Sequence, residues 1–115
     1  YAFSFPQRLP LKGERLDLFK TQDLQFFEPD YKKFKCLQLC FDAIRKGGNM
    51  SCIVNAANEI VNAGFRRGEC GFLQMADIIE EVMEKATFDS QPDLDVYLQT
   101  DAEARRIATE LMHHI

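Results

Sequence analysis

The sequence predicts a mainly α fold: a small antiparallel four-helix bundle over residues 34–115, preceded by an extended connector with short strand segments over residues 1–33. Three observations predict it. After Phe34, apolar residues recur four times at helical spacing, and short loops separate the four stretches. Before Phe34, Pro6, Pro10, Gly13 and Pro29 punctuate the chain and no helical period lasts two turns. The length, 115 residues, suits one domain.

The connector opens with Tyr1-Ala2-Phe3-Ser4-Phe5, which alternates large apolar with small residues and reads as a short strand that Pro6 limits to an edge. Leu24-Gln25-Phe26 reads as short extended chain. Leu16, Leu18, Phe19, Leu24, Phe26 and Phe27 are too apolar for a free linker, so this region is expected to lie against another surface.

The first helix is expected over Cys36–Lys46. Cys36, Leu39, Cys40 and Ala43 form one stripe, with Leu37, Phe41 and Ile44 beside it. So broad an apolar arc should be buried on more than one side. Arg45 and Lys46 suit its negative end, and Gly47-Gly48 stops it. The second helix takes Asn49 as its N-cap and ends at Arg66-Arg67-Gly68. Ile53, Ala56, Ala57, Ile60, Val61 and Gly64 form its stripe, and the small residues among them would let another helix approach closely.

The third helix is expected over Met75–Ala86, with Met75, Ile78, Ile79, Val82, Met83 and Ala86 inward. Asp77, Glu80, Glu81 and Glu84 face outward, and Glu81 can pair with Lys85 at i, i+4. After the loop Asp89-Ser90-Gln91-Pro92, a short helical turn runs through Leu94, Val96 and Tyr97. The last helix then starts near Thr100, which matches a capping box with Glu103. Its stripe is Ala104, Ile107, Ala108, Leu111, Met112 and Ile115, with His113 and His114 at its end.

Composition excludes several function classes. Charge is uneven: residues 1–50 carry a balance of +3 and residues 51–115 one of −7. An acidic helical half argues against nucleic acid as a partner, because phosphate contacts need a dense cationic face. No apolar run approaches a membrane span, no signal-peptide pattern opens the chain, and a cytoplasmic location is the expectation. The chain begins at Tyr1, which is expected of a processed product or of a piece of something longer. Cys36, Cys40, Cys52 and Cys70 have no C-x-x-C spacing and are expected to be buried or partly buried free thiols.

One feature of the second helix is unusual. Asn55, Asn58, Glu59 and Asn62 recur at i, i+3, i+4, i+7 and share the face opposite the apolar stripe. Asparagine is a poor helix former, so three on one face need a reason. The favoured reading is that their amides bond the backbone of a packed loop or connector. A ligand-binding role and an ordinary solvent face are the alternatives. The Glu80-Glu81-Glu84 cluster reads as a solvated face, and the terminal histidines lack a partner acid. No glycine-rich phosphate loop and no Ser/His/Asp assortment is present. No catalytic, cofactor-binding or metal-binding residue is therefore assigned to this chain.

A resemblance goes further. Asn55-Ala56-Ala57-Asn58-Glu59 is followed by Gly71-Phe72-Leu73 and preceded by Phe27-Glu28-Pro29-Asp30 and Cys36-Leu37. Arg8-Leu9-Pro10 and Leu16-Asp17-Leu18-Phe19 lie nearer the start. In order and spacing these blocks resemble the C-terminal region of the 1-deoxy-D-xylulose 5-phosphate reductoisomerase family, across essentially the whole chain. The resemblance implies an enzyme that converts 1-deoxy-D-xylulose 5-phosphate to 2-C-methyl-D-erythritol 4-phosphate for isoprenoids by the non-mevalonate route. It implies NADPH and a divalent Mg, Mn or Co ion for the full-length enzyme, and a homodimer.

On that reading residues 1–33 are the connector and the tail of a central catalytic domain, and residues 34–115 are the C-terminal helical domain. The partners are the enzyme's own nucleotide-binding and catalytic domains, which hold the cofactor, metal and phosphate sites. Two residues depart from the family pattern: Lys35 and Ser51 stand where prolines are common. The competing expectation is an autonomous helical adaptor that binds a protein partner through its N-terminal arm.

Overall fold

The computed structural model describes residues 1–10, 12–21 and 23–113. Four helices carry the fold: α1 (Lys35–Lys46), α2 (Met50–Arg67), α3 (Phe72–Lys85) and α4 (Leu94–Met112). α2 is the central element, packed chiefly on α4 and α3, with α1 on its other flank. Met50, Ile53, Ala56, Ala57, Val61 and Gly64 of α2 are all buried, as the apolar period predicts, and Ile60 is half-buried. The small residues explain the close α2–α4 packing: a Cβ on Gly64 would sit 2.5 Å from Met112 Sδ. The expected inward faces of α3 and α4 are likewise buried, with Met83 and Leu111 half-buried. Ile115 and His114 lie outside the described residues.

The helix ends show which local signals act. α2 closes with Gly68 at φ +77°, where its N–H bonds Phe65 O (2.9 Å) and the Glu69 N–H bonds Gly64 O (3.0 Å). These two bonds make a Schellman motif, which satisfies carbonyls left free at the helix end. Gly48 is required for a different reason. It has φ +55°, and a Cβ there would collide with the Asp89 carbonyl of the α3–α4 loop.

Several sequence expectations are corrected. No strand occurs among the described residues. Ala2–Ser4 forms a 3-10 turn, in which the Ser4 N–H bonds Tyr1 O and the Gln7 N–H bonds Ser4 O (3.0 and 2.8 Å). An alternating pattern becomes a strand only beside a partner strand, and without one the backbone bonds locally. Leu24-Gln25-Phe26 has no regular structure.

α3 starts three residues earlier than its apolar period suggests, because Gln74 Oε1 accepts from the Gly71 N–H (2.6 Å). α4 is one continuous helix from Leu94, started by Asp93, whose Oδ1 accepts from the Val96 N–H (2.9 Å). Thr100 and Glu103 are therefore not a capping box. Both lie inside α4, and Glu103 accepts from the Thr87 N–H and hydroxyl at 3.3 and 3.1 Å.

The broad arc of α1 is covered on one side only. Leu39 and Ala43 are buried, whereas Leu37, Phe41 and Ile44 are exposed. Of the four free thiols, Cys70 is buried and Cys52 half-buried, but Cys36 and Cys40 are exposed on the uncovered face. Lys35, the first residue of α1, ties α1 to α3. Its Nζ lies 2.6 Å from both Asp77 Oδ1 and Glu80 Oε2. The Glu81–Lys85 pair forms as predicted, at 2.6 Å.

Candidate functional site

The uncovered face of α1 and the adjoining face of α2 form an open groove of about 350 Å³. Leu39, Ala43, Ile44, Val54 and Ile79 make it apolar. Its polar edge carries Cys36 and Cys40 from α1, and Ser51, Asn55 and Asn58 from α2. Such a composition, mostly apolar with a few hydrogen-bonding groups, is that of a binding surface. Although Cys36 is exposed as a residue, partial desolvation of its sulfur pushes the thiol above its usual range, and repulsion from Cys40 adds to this. A thiol shifted in that direction is a poor nucleophile at neutral pH.

The predicted polar stripe is divided by the tertiary structure. Asn55 and Asn58 line the groove, are exposed, and make no hydrogen bond among the described residues. Glu59 instead turns to α4 and pairs with Arg105, which also bonds Asp101 Oδ2 at 2.7 Å. Asn62 is exposed outside the groove. Asn55 and Asn58 are thus exposed, and among the described residues the connector contact expected of their amides is not made.

The polar residue that organises the bundle is Asn49. Its side chain does not cap α2. It is 1% exposed, and Nδ2 donates to Thr87 O and to Thr100 Oγ1, both at 2.9 Å. Oδ1 accepts from the Asp89 N–H at 2.9 Å, and the Asn49 N–H donates to Asp89 O at 2.9 Å. One side chain thereby clasps the start of α2, the α3–α4 loop and the middle of α4, fixing the frame on which the groove is built. Sequence reasoning missed this because an asparagine after Gly-Gly and before a helix reads as a cap. Only the 51-residue separation from Thr100 reveals the clasp.

Among the described residues, no group of three or more His, Cys, Asp or Glu side chains could hold a metal ion. No helix of the described residues is long and apolar enough to cross a membrane.

Comparison with known proteins gives this arrangement a family. A family model described as the DXP reductoisomerase C-terminal domain matches residues 1–107. The chain is 52% identical over 112 residues to 1-deoxy-D-xylulose 5-phosphate reductoisomerase of Bacteroides thetaiotaomicron, covering 97% of this chain and 29% of that protein. It is 51% identical to the same enzyme of Bacteroides fragilis, with the same coverage. Among solved structures, the reductoisomerase of Zymomonas mobilis in complex with NADPH superposes with a TM-score of 0.76 at 36% identity, over 96% of this chain and 29% of that one. A DOX-P reductoisomerase in complex with magnesium superposes with a TM-score of 0.78 at 30% identity, over 95% and 30%. The chain thus spans under a third of the length of these relatives, and it belongs to the DXP reductoisomerase C-terminal domain family.

Proposed function

We propose that this chain is the C-terminal part of an NADPH- and divalent-cation-dependent reductoisomerase. That enzyme would convert 1-deoxy-D-xylulose 5-phosphate to 2-C-methyl-D-erythritol 4-phosphate in the cytoplasm, for non-mevalonate isoprenoid biosynthesis. The observation that carries the reading is 52% identity along nearly the whole chain to 29% of one such enzyme.

Residues 34–115 are then a structural support, and residues 1–33 are the connector and the tail of the catalytic domain. The exposed Phe3, Phe5, Phe19, Phe26 and Phe27 support a connector made to be covered by something outside its own bundle. The described residues do not fit a cofactor or cation site. The groove wall carries no charged group, and Glu80 and Glu81 are engaged by Lys35 and Lys85. NADPH and the Mg, Mn or Co ion are accordingly assigned to the enzyme's other domains, and the complete enzyme is a homodimer with neither nucleic acid nor membrane as partner.

A chimera tests this. The chain replaces the corresponding C-terminal region of the B. thetaiotaomicron enzyme, and NADPH oxidation dependent on 1-deoxy-D-xylulose 5-phosphate is followed. The expected result is activity in the chimera and none in the enzyme truncated before this region. A folded, dimeric but inactive chimera would overturn the assignment.

A further inference from the structure

We propose that Cys36 and Cys40 form a dithiol site on the exposed face of α1 that takes a trivalent organoarsenic acid, R–As(OH)2, with its organic group R in the α1–α2 groove. The two thiols stand four residues apart on one helix, so they share a face one turn apart. Both are free, both are exposed, and both line the same groove. The other two cysteines offer no such pair. Cys52 is half-buried and its Sγ donates to Tyr97 O at 3.6 Å, and Cys70 is buried with its Sγ donating to Val61 O at 3.6 Å.

Spacing selects what the pair can hold. Side chains at i and i+4 of a helix have Cβ atoms about 5–6 Å apart, whereas a disulfide needs about 3.5–4.5 Å. A direct S–S bond would therefore distort α1. One atom inserted between the sulfurs supplies the missing length with the backbone in place. Zinc is not that atom, since it takes four ligands and no third His, Cys, Asp or Glu joins the pair among the described residues.

Protonation separates the remaining thiophilic ligands. A soft cation such as Cu(I) needs both thiols as thiolates. Partial desolvation and the neighbouring Cys40 hold the Cys36 thiol towards its protonated form. Condensation with the arsenical makes no such demand. Two As–O bonds break, two As–S bonds form, and each thiol proton leaves with a hydroxide as water. Arsenic stays trivalent, so no oxidant or reductant takes part, and the product holds no thiolate.

The groove accounts for the organic group. Leu39, Val54 and Ile79 make it apolar beside the two sulfurs, and Ile44 adds an exposed wall. Its volume is about 350 Å³. An apolar cavity of about 150 Å³ holds benzene, so a phenyl ring has room here.

The test uses phenylarsonous and methylarsonous acids with the reduced 115-residue chain. Intact mass and thiol titration should show one adduct that consumes two thiols. Trypsin cuts after Lys35 and Arg45, so peptide mapping should place the adduct on Cys36–Arg45, which holds these two cysteines and neither of the others. Cys36→Ser and Cys40→Ser should each weaken binding by about 100-fold or more with unchanged helical circular dichroism, because the second As–S bond forms within one molecule. Cys52→Ser should bind as the parent does. Ile44→Ser should weaken the phenyl form by about threefold or more and leave the methyl form unchanged. An adduct that consumes one thiol, an adduct on the peptides of Cys52 or Cys70, or serine variants at 36 and 40 that bind as tightly as the parent would overturn the dithiol site. An Ile44→Ser variant that binds both arsenicals as the parent does, or loses both equally, would overturn the seating of the organic group.

Discussion

Replacing Asn49 by alanine removes three side-chain hydrogen bonds at once, two donated to Thr87 O and Thr100 Oγ1 and one accepted from the Asp89 N–H. A typical net contribution is about 1 kcal/mol per bond, more where the abandoned partner stays out of water. Thr100 is 4% exposed and cannot recover its partner from solvent, whereas Thr87 is exposed and Asp89 half-buried, so water can replace those bonds in part. The loss is therefore about 2–4 kcal/mol, a fall of roughly 10–25 °C in melting temperature for a domain this size. Asn58→Ala is the control. Asn58 is an exposed helical residue with no side-chain hydrogen bond among the described residues, so its replacement should be neutral, or stabilising by a few tenths of a kcal/mol. Urea melts of both variants at low concentration make the comparison, and Thr100→Val in a double-mutant cycle isolates the Asn49–Thr100 bond. An Asn49→Ala cost under about 1 kcal/mol, or an equal cost for the two asparagines, would refute the clasp.

Gly48→Ala should destabilise by about 1–3 kcal/mol, since it meets both a positive φ and the Asp89 carbonyl. Gly47→Ala, at φ +71° but with open space around it, should cost less, and denaturant midpoints of the two variants check the order. On the alkaline side, partial desolvation of their sulfurs holds the exposed Cys36 and half-buried Cys52 thiols above their usual range, and its bonds to Asp77 and Glu80 do so for the Lys35 ammonium. All three hold protons more firmly folded than unfolded. Their stability contribution is therefore complete below about pH 9 and is lost as pH rises through the folded values. Melting temperatures measured from pH 8 to 11 should fall, and Cys36→Ser with Cys52→Ser should flatten the first part of that fall.

The sequence by itself determined the helices, because burial of an apolar stripe at 3.6-residue spacing is a local pattern with a global consequence. Ile53 through Gly64, Met75 through Ala86, and Ala104 through Met112 lie inward as the period requires. It also carried the family, through blocks such as Asn55–Glu59. Where partners lie far apart in the chain, the tertiary structure decided. Asn49 and Thr100 each look like a helix cap locally, yet they bond each other across the bundle. Glu59 shares a face with Asn55 and Asn58 but is taken by Arg105 of α4, which splits the stripe. Periodicity measures how apolar a face is and not what covers it. The same pattern that buried most of the apolar stripe of α2 left Leu37, Phe41 and Ile44 of α1 open, because no further element of the described chain packs there.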